Sequence, residues 1–482
     1  MEGARRLTDS LSPGYATIGT VWLPLYHLVV APLAINDFLW RTGLAGSLVS
    51  SLFFALAGWI VFRLAAEMSR SVLAGAVALA GFMVCPNMDY IASTPLTEPM
   101  AILTSVLVVY GVFRYSRSGH AITIVWTGLA AFVGTLTRYD GWFLLPFAAA
   151  YAFWSGHGSW RRRLLLAGLF SAIAALGPAL WLIHNAVRFG NPLEFYNGPG
   201  SALAIYQRQI ATSGFRYPTD GSLMLSALYY LADLVVVVGP WALVLSVLGF
   251  VTWLADRDRR RARAAALLLV VPFVFYVHSM AHAAVPIYIP ILPPFSYYNL
   301  RYGLEALPAL AVFPSFLVGP TRQPTGGARR ALTAAVVFAL LLGEAAFMVR
   351  GGGQSVPVVQ ESIRNTPCKA KRQQAVIEFF RREYNGKEIL MTPGEWLCLN
   401  PSLGIPFRKT LSETDGKSWI KLSSGIPREV GWIIRGTDDP VDQLMRAFPA
   451  AFEGFTLVER DAYAGEGWVE IYRRRPGPQA PR

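Results

Sequence analysis

Acids and arginines stand out in this chain because so little around them is charged. Glu98 lies in Thr94-Pro95-Leu96-Thr97-Glu98-Pro99, and Arg138 and Asp140 lie in Thr137-Arg138-Tyr139-Asp140-Gly141-Trp142. Arg301 follows Tyr297-Tyr298-Asn299-Leu300. Each stretch borders apolar runs of membrane length. Charges there belong either to an aqueous mouth or to a polar site among helices. A positioned carboxylate can take a proton from an attacking hydroxyl, worth about 10²–10⁴ in rate. A guanidinium fork can hold a departing phosphate, and stabilising that charge is commonly the larger effect.

Each residue also has a plainer reading. Glu98 follows Thr97 at a helix start, where the dipole favours an acid; otherwise it is a catalytic or metal-binding carboxylate, with Mg or Mn as the candidate ion. Asp140 and Arg138 can pair with each other. Asp89, beside Tyr90, is an exposed loop acid or a substrate contact. Asp9 is a cap residue or a catalytic acid. Arg301 and Arg138 either bind a donor phosphate or snorkel to headgroups. His278 and His282 share one helix face by their i, i+4 spacing. No glutamate stands between them as on a metalloprotease helix, so polar cavity lining suits them better than zinc. His27, after Tyr26, either touches substrate or rests at the interface. Tyr139 and Trp142 suit the membrane–water boundary. Tyr298 and Asn299 flank Arg301 as substrate-lining candidates. The stretch 188–222 adds Tyr196, Tyr206 and Tyr217, which suit sugar stacking or an interfacial loop.

The elements that must position these groups are helices. The 482 residues are 54% hydrophobic and 15% charged, against about 25% charged in a soluble protein. Apolar runs near the ~20-residue spanning length fall at 43–63, 71–87, 97–114, 120–136, 142–156, 163–187, 223–254, 264–282, 303–319 and 331–349. The run 223–254 is long enough for a tilted helix, or for a helix plus an interfacial piece. The chain reads as a polytopic helical membrane protein of about ten or eleven spans. Its net charge of +13 sits in short arginine clusters between runs. That placement orients helices and does not point to nucleic acid. No Walker-type phosphate loop or dinucleotide fingerprint occurs, which disfavours an ATP-driven pump and a cytoplasmic nucleotide-sugar enzyme.

The basic clusters Arg63 to Arg70, Arg114 to Arg117, Arg161-Arg162-Arg163, Arg257 to Arg263 and Arg322 to Arg330 read as cytoplasmic. The loops 88–96, 137–141, 188–222, 283–302 and everything after 350 then face outward. Residues 20–35, with Pro24 and Pro32, form a poor span or an interfacial amphipathic piece. A chain that starts outside with no signal peptide suggests a first helix upstream.

No lysine precedes Lys369, and all six lie in 369–421. That break marks a water-soluble domain over 350–482, hinged at Gly351-Gly352-Gly353. It reads as α/β: a helix over 370–384, strands at 388–391 and 429–434, a helix start at Asp438-Asp439-Pro440, and a hairpin of 455–460 with 468–472. Of the three cysteines, Cys85 is in an apolar run. Cys368 and Cys398 can form a disulfide if the domain faces an oxidising compartment.

In their order and common side, the polar motifs resemble those of the GT-C superfamily of integral membrane glycosyltransferases. The bacterial and archaeal members related to the protein mannosyltransferase and aminoarabinose transferase families are the nearest look-alikes. The resemblance rests on Gly19-Thr20-Val21-Trp22-Leu23-Pro24-Leu25-Tyr26-His27, on Thr94 to Pro99, on 137–142, and on Tyr298-Asn299-Leu300-Arg301-Tyr302-Gly303 with Leu307-Pro308. It implies a GT-C-like bundle over 1–349, a small extracytoplasmic domain, and location in the cell's inner membrane. It further implies inverting transfer of a hexose or pentose from a polyprenyl-phosphate-linked donor to a glycan, lipid or protein acceptor. Such enzymes carry an acid just after their first helix. This chain begins Met1-Glu2-Gly3-Ala4-Arg5-Arg6, just past that place, and Asp9 is the nearest aspartate. A polysaccharide polymerase or ligase of another membrane family, or a transporter, is the alternative. A transporter would place charges near mid-membrane, often within inverted repeats.

Overall fold

The computed structural model describes residues 1–255, 260–319, 327–352 and 355–476. Arg257 to Arg259, Arg322 and Gly353, named above in basic clusters and hinge, lie outside the described residues. The chain forms two compact units. One comprises Met1–Gly19, His27–Gly46 and Asn365–Arg482; the other comprises Thr20–Tyr26 and Ser47–Arg364.

The larger unit is helical. Five helices are long and apolar enough to cross a bilayer: Leu44–Ser69, Glu98–Ser118, Trp160–Phe189, Ala264–Ala281 and Gly327–Val349. Two bent pairs raise the number to seven: Val72–Met83 with Pro86–Ala92, bent by 71°, and Leu223–Val237 with Pro240–Ala255, bent by 114°. Proline lacks an N–H and disfavours helical backbone in the residue before it, so each break falls just ahead of Pro86 or Pro240. Hydropathy reads straight through both breaks. The runs 120–136 and 142–156 become the shorter helices Ala121–Thr135 and Tyr139–Ser155, and 303–319 becomes short helical turns within Leu300–Leu317. This is a multi-pass membrane protein with five to seven span-capable elements among the described residues.

The helix Glu98–Ser118 has 21 residues, so it is ~30 Å long, about one hydrocarbon thickness. Its two ends differ in charge. Glu98 opens it. Near its C-terminus Arg114 and Arg117 join Arg63 around Glu67, at 3.1, 3.4 and 2.8 Å.

The smaller unit holds a five-stranded sheet: β1 (Glu388–Leu390), β2 (Thr410–Leu411), β3 (Val430–Gly436), β4 (Phe455–Tyr463) and β5 (Gly467–Arg474), in the order β2-β1-β3-β5-β4. β1 pairs in parallel with β2 and β3, while β3, β5 and β4 pair antiparallel. The near-continuous apolar run of β3 follows from burial on both faces. Trp432 and Ile434 pack with Val376 and Phe380 of the helix Lys371–Glu383. Ile433 packs on the opposite face with Val441 and Phe452. Asp439 caps the helix Pro440–Ala447, accepting from the Asp442 N–H at 2.7 Å. The helices, the hairpin and the strands β1 and β3 follow the sequence pattern. β2 has only two residues, too few to show a period.

The unit also takes in the first residues of the chain. Arg5 donates to Asp9 at 3.0 Å, and Asp9 accepts from Arg408 at 3.2 Å and from the Phe407 and Arg408 N–H groups at 3.3 Å each. Cys368 and Cys398 are disulfide-bonded across a separation of 30 residues. Closing a loop of that length stabilises a fold by about 3–4 kcal/mol in the chain-entropy account. Cys398→Ser, or reductant, is therefore expected to lower the unfolding temperature of this unit. An unchanged melting curve would mean that the bond constrains nothing.

Candidate active site

The turn 135–139 brings two helices together around a close backbone approach. A Cβ on Gly141 would stand 2.8 Å from the Gly134 carbonyl oxygen, so only glycine fits there. Trp142 Nε1 donates to the Thr135 carbonyl at 2.7 Å, and Thr137 Oγ1 to that of Val133 at 2.9 Å. These bonds satisfy carbonyls left open where the helix Ala121–Thr135 ends. They fix Arg138, in extended backbone, directly before the helix Tyr139–Ser155.

Arg138 is the hub of a buried cluster. Its Nη1 is 3.2 Å from Glu98 Oε1 and its Nε is 3.3 Å from Asp140 Oδ2 and 3.5 Å from Glu305 Oε1. Its Nη2 donates to the Tyr276 hydroxyl at 2.7 Å, and that hydroxyl donates to Asp140 at 3.3 Å. Tyr276 is stacked between Tyr230 and Tyr302, with centroids 5.5 and 5.2 Å away. Arg138 and Arg301 lie over the Tyr302 ring at 4.9 and 5.2 Å. Aromatic faces hold both guanidinium planes where carboxylates alone would leave them loose.

Glu98 is 1% exposed and bridges both arginines. Arg301 Nε stands 3.0 Å from Glu98 Oε1 at an ion-pair distance, without hydrogen-bond alignment. Glu98 Oε2 and Glu305 Oε1 have no hydrogen-bond partner among the described residues. The Arg301 terminal nitrogens make only a 3.5 Å contact with the Tyr302 hydroxyl there. Its side chain is 25% exposed, against 14% for Arg138. Arg301 is thus the guanidinium with donors to offer, and Arg138 the one committed to structure. Three carboxylates face two guanidinium groups, so a further anion must compete with Glu98 for Arg301.

A small cleft, with room for about 20 Å³, opens beside Asp140 and Glu305, walled by Ala101, Thr104, Ser105, Leu144 and Val271. Among the described residues no group of three or more His, Cys, Asp or Glu is placed to hold a metal ion. Guanidinium groups stand against the carboxylates, so this set does not fit the Mg or Mn suggested by sequence.

The cluster unites Glu98, Arg138, Asp140 and Arg301. Tyr139 stands next to it and donates to the Val21 carbonyl at 2.8 Å, its ring stacked on Phe195 at 5.1 Å. Asn299 and Tyr298 precede Arg301. Asn299 Nδ2 donates to the Pro286 carbonyl at 2.9 Å, and Tyr298, 46% exposed, bridges to the Tyr288 backbone. His278 and His282 are exposed and stack on each other with centroids 4.1 Å apart. Asp89 is exposed on the short helix Pro86–Ala92. Asp9 and His27 belong to the smaller unit, and both Asp9 carboxylate oxygens are bonded within it.

No protein-family model matches the chain, and no curated protein does. Solved structures do. The crystal structure of ArnT from Cupriavidus metallidurans bound to undecaprenyl phosphate matches with a TM-score of 0.52 and 15% identity, over 99% of this chain and 94% of that one. The apo structure of the same ArnT matches with a TM-score of 0.54 and 15% identity, over 98% and 92%. The chain has the ArnT fold. At the level of architecture this bears out the resemblance to GT-C transferases read from the motifs.

On this ArnT fold the sequence reading missed Glu305, Tyr276 and Glu361, and named Tyr302 only as part of the Arg301 motif. Glu305 and Tyr276 sit inside runs read as plain membrane helix. The signal for Glu305 was present: it is the lone acid of 303–319, four residues after Arg301. Glu361 accepts the Asn299 and Leu300 N–H groups at 2.7 and 2.9 Å. Burial raises its pKa above the usual carboxylate value, partly offset by those two N–H groups and by the Arg301 charge.

Proposed function

We propose that this chain is a membrane glycosyltransferase that moves a sugar from a polyprenyl-phosphate carrier to an acceptor at the extracytoplasmic face, with inversion. The observation that carries the reading is Arg301: a half-buried guanidinium with uncommitted donors, beside a buried carboxylate, on a fold whose ArnT counterpart binds undecaprenyl phosphate. In the proposed step an acceptor hydroxyl attacks the anomeric carbon from the side opposite the phosphate. The new carbon–oxygen bond forms as the bond to phosphate breaks, and that electron pair leaves on the phosphate oxygen. Arg301 takes the developing charge through a paired contact. The hydroxyl proton passes to a cluster carboxylate. Glu98 Oε2, which has no hydrogen-bond partner among the described residues, suits the part, with Asp140 nearby. Arg138 keeps the three acids from repelling one another.

The helix Glu98–Ser118 supports this sidedness. Its basic end, with Arg114 and Arg117, reads as cytoplasmic by the positive-inside rule, which favours an outward Glu98 end. The Cys368–Cys398 bond agrees with an oxidising compartment for the smaller unit. Proteoliposomes supplied with undecaprenyl-phosphate hexose or pentose and a cell-envelope acceptor fraction are expected to release undecaprenyl phosphate. No release with any donor of such a panel would overturn the reading.

A further inference from the structure

We propose that Glu361 is a positioning residue for Arg301, so that the helix carrying it sets the affinity of the site for a lipid phosphate. The inference rests on the transferase reading above. The helix Pro357–Asn365 presents residues 358, 361 and 362 on one face, by their i, i+3, i+4 spacing. The Val358 N–H donates to Asn87 Oδ1 at 2.9 Å, and the Tyr90 hydroxyl donates to Ser362 at 2.7 Å. Between those bolts, Glu361 takes the Asn299 and Leu300 N–H groups, one on each oxygen. Arg364 covers the Tyr297 ring at 4.4 Å.

The two N–H groups that Glu361 accepts open the turn Leu300–Ala306, which carries both Arg301 and Glu305. The first donors of a helical turn have no partner within it, and a carboxylate is a strong acceptor for them. Asn299 is held at φ 60°, a left-handed conformation that asparagine adopts more readily than most residues. Glu361 holds its backbone N–H and the Pro286 carbonyl its side-chain amide. Loss of the carboxylate frees the turn to relax, and with it the aim of Arg301. Misplacing a clamp by ~1 Å can cost about 10²-fold in rate. Glu361 touches no reacting atom; it acts through the arginine.

The test titrates the purified full-length protein with undecaprenyl phosphate. Glu361→Gln keeps the shape but offers an N–H where an acceptor is needed, and is expected to weaken binding roughly tenfold. Glu361→Asp, with a shorter carboxylate, is expected to fall between and is read in its place if the glutamine variant does not fold. In an Arg301→Ala background, Glu361→Gln is expected to add no further loss, because the two act as one unit. Wild-type affinity in Glu361→Gln, or a full additive loss in the Arg301→Ala background, overturns the inference alone. Wild-type affinity in Arg301→Ala overturns the phosphate role beneath it.

Discussion

Arg138→Met is expected to lower stability by about 3–5 kcal/mol and to abolish turnover. Removing one partner of a buried charge set leaves the others uncompensated, and that is the usual size of the loss. Here three acids lie against one side chain, Glu98, Asp140 and Glu305 at 3.2, 3.3 and 3.5 Å, and of these Glu98 also has Arg301, at 3.0 Å. Methionine keeps most of the volume and none of the charge. Glu305→Gln added to Arg138→Met removes one of the acids left without a cation, so it is expected to recover part of the melting temperature and none of the turnover. Thermal unfolding in detergent checks the first point, and donor turnover the second. A single mutant that melts like wild type would show that the cluster does not depend on its central cation.

Glu98→Gln is expected to do the opposite: keep the fold and remove the chemistry. Glutamine at 98 leaves two acids facing two arginines, a better balance than the native three, so stability is expected to hold. Without a carboxylate to receive the proton, kcat falls by about 10²–10⁴. Arg301→Ala removes the guanidinium with donors to spare, and kcat/KM for the donor is expected to fall by about 10²–10³. Normal turnover in both variants would remove the transferase reading.

Half of this cluster is legible in the chain itself. Glu98, Arg138, Asp140 and Arg301 show because a charge beside a membrane-length apolar run needs a partner. Their partners do not show. Tyr276 lies in an apolar run where tyrosine is ordinary, and its role depends on stacking between Tyr230 and Tyr302. Glu361 acts on residues about sixty positions away, and no local pattern encodes such a bond. Asp9 shows the same limit. Read as a candidate acid, it is bonded to Arg5, four residues away, and to Arg408, 399 residues away. The helices followed from hydropathy, yet the bends before Pro86 and Pro240 needed backbone chemistry that hydropathy omits.

The most direct measurement is a structure of the protein with undecaprenyl phosphate bound. The account predicts the phosphate within hydrogen-bond reach of the Arg301 terminal nitrogens, with Glu98 drawn off Arg301 and still held by Arg138. A phosphate seated away from Arg301, with the Glu98–Arg301 contact intact, would contradict it.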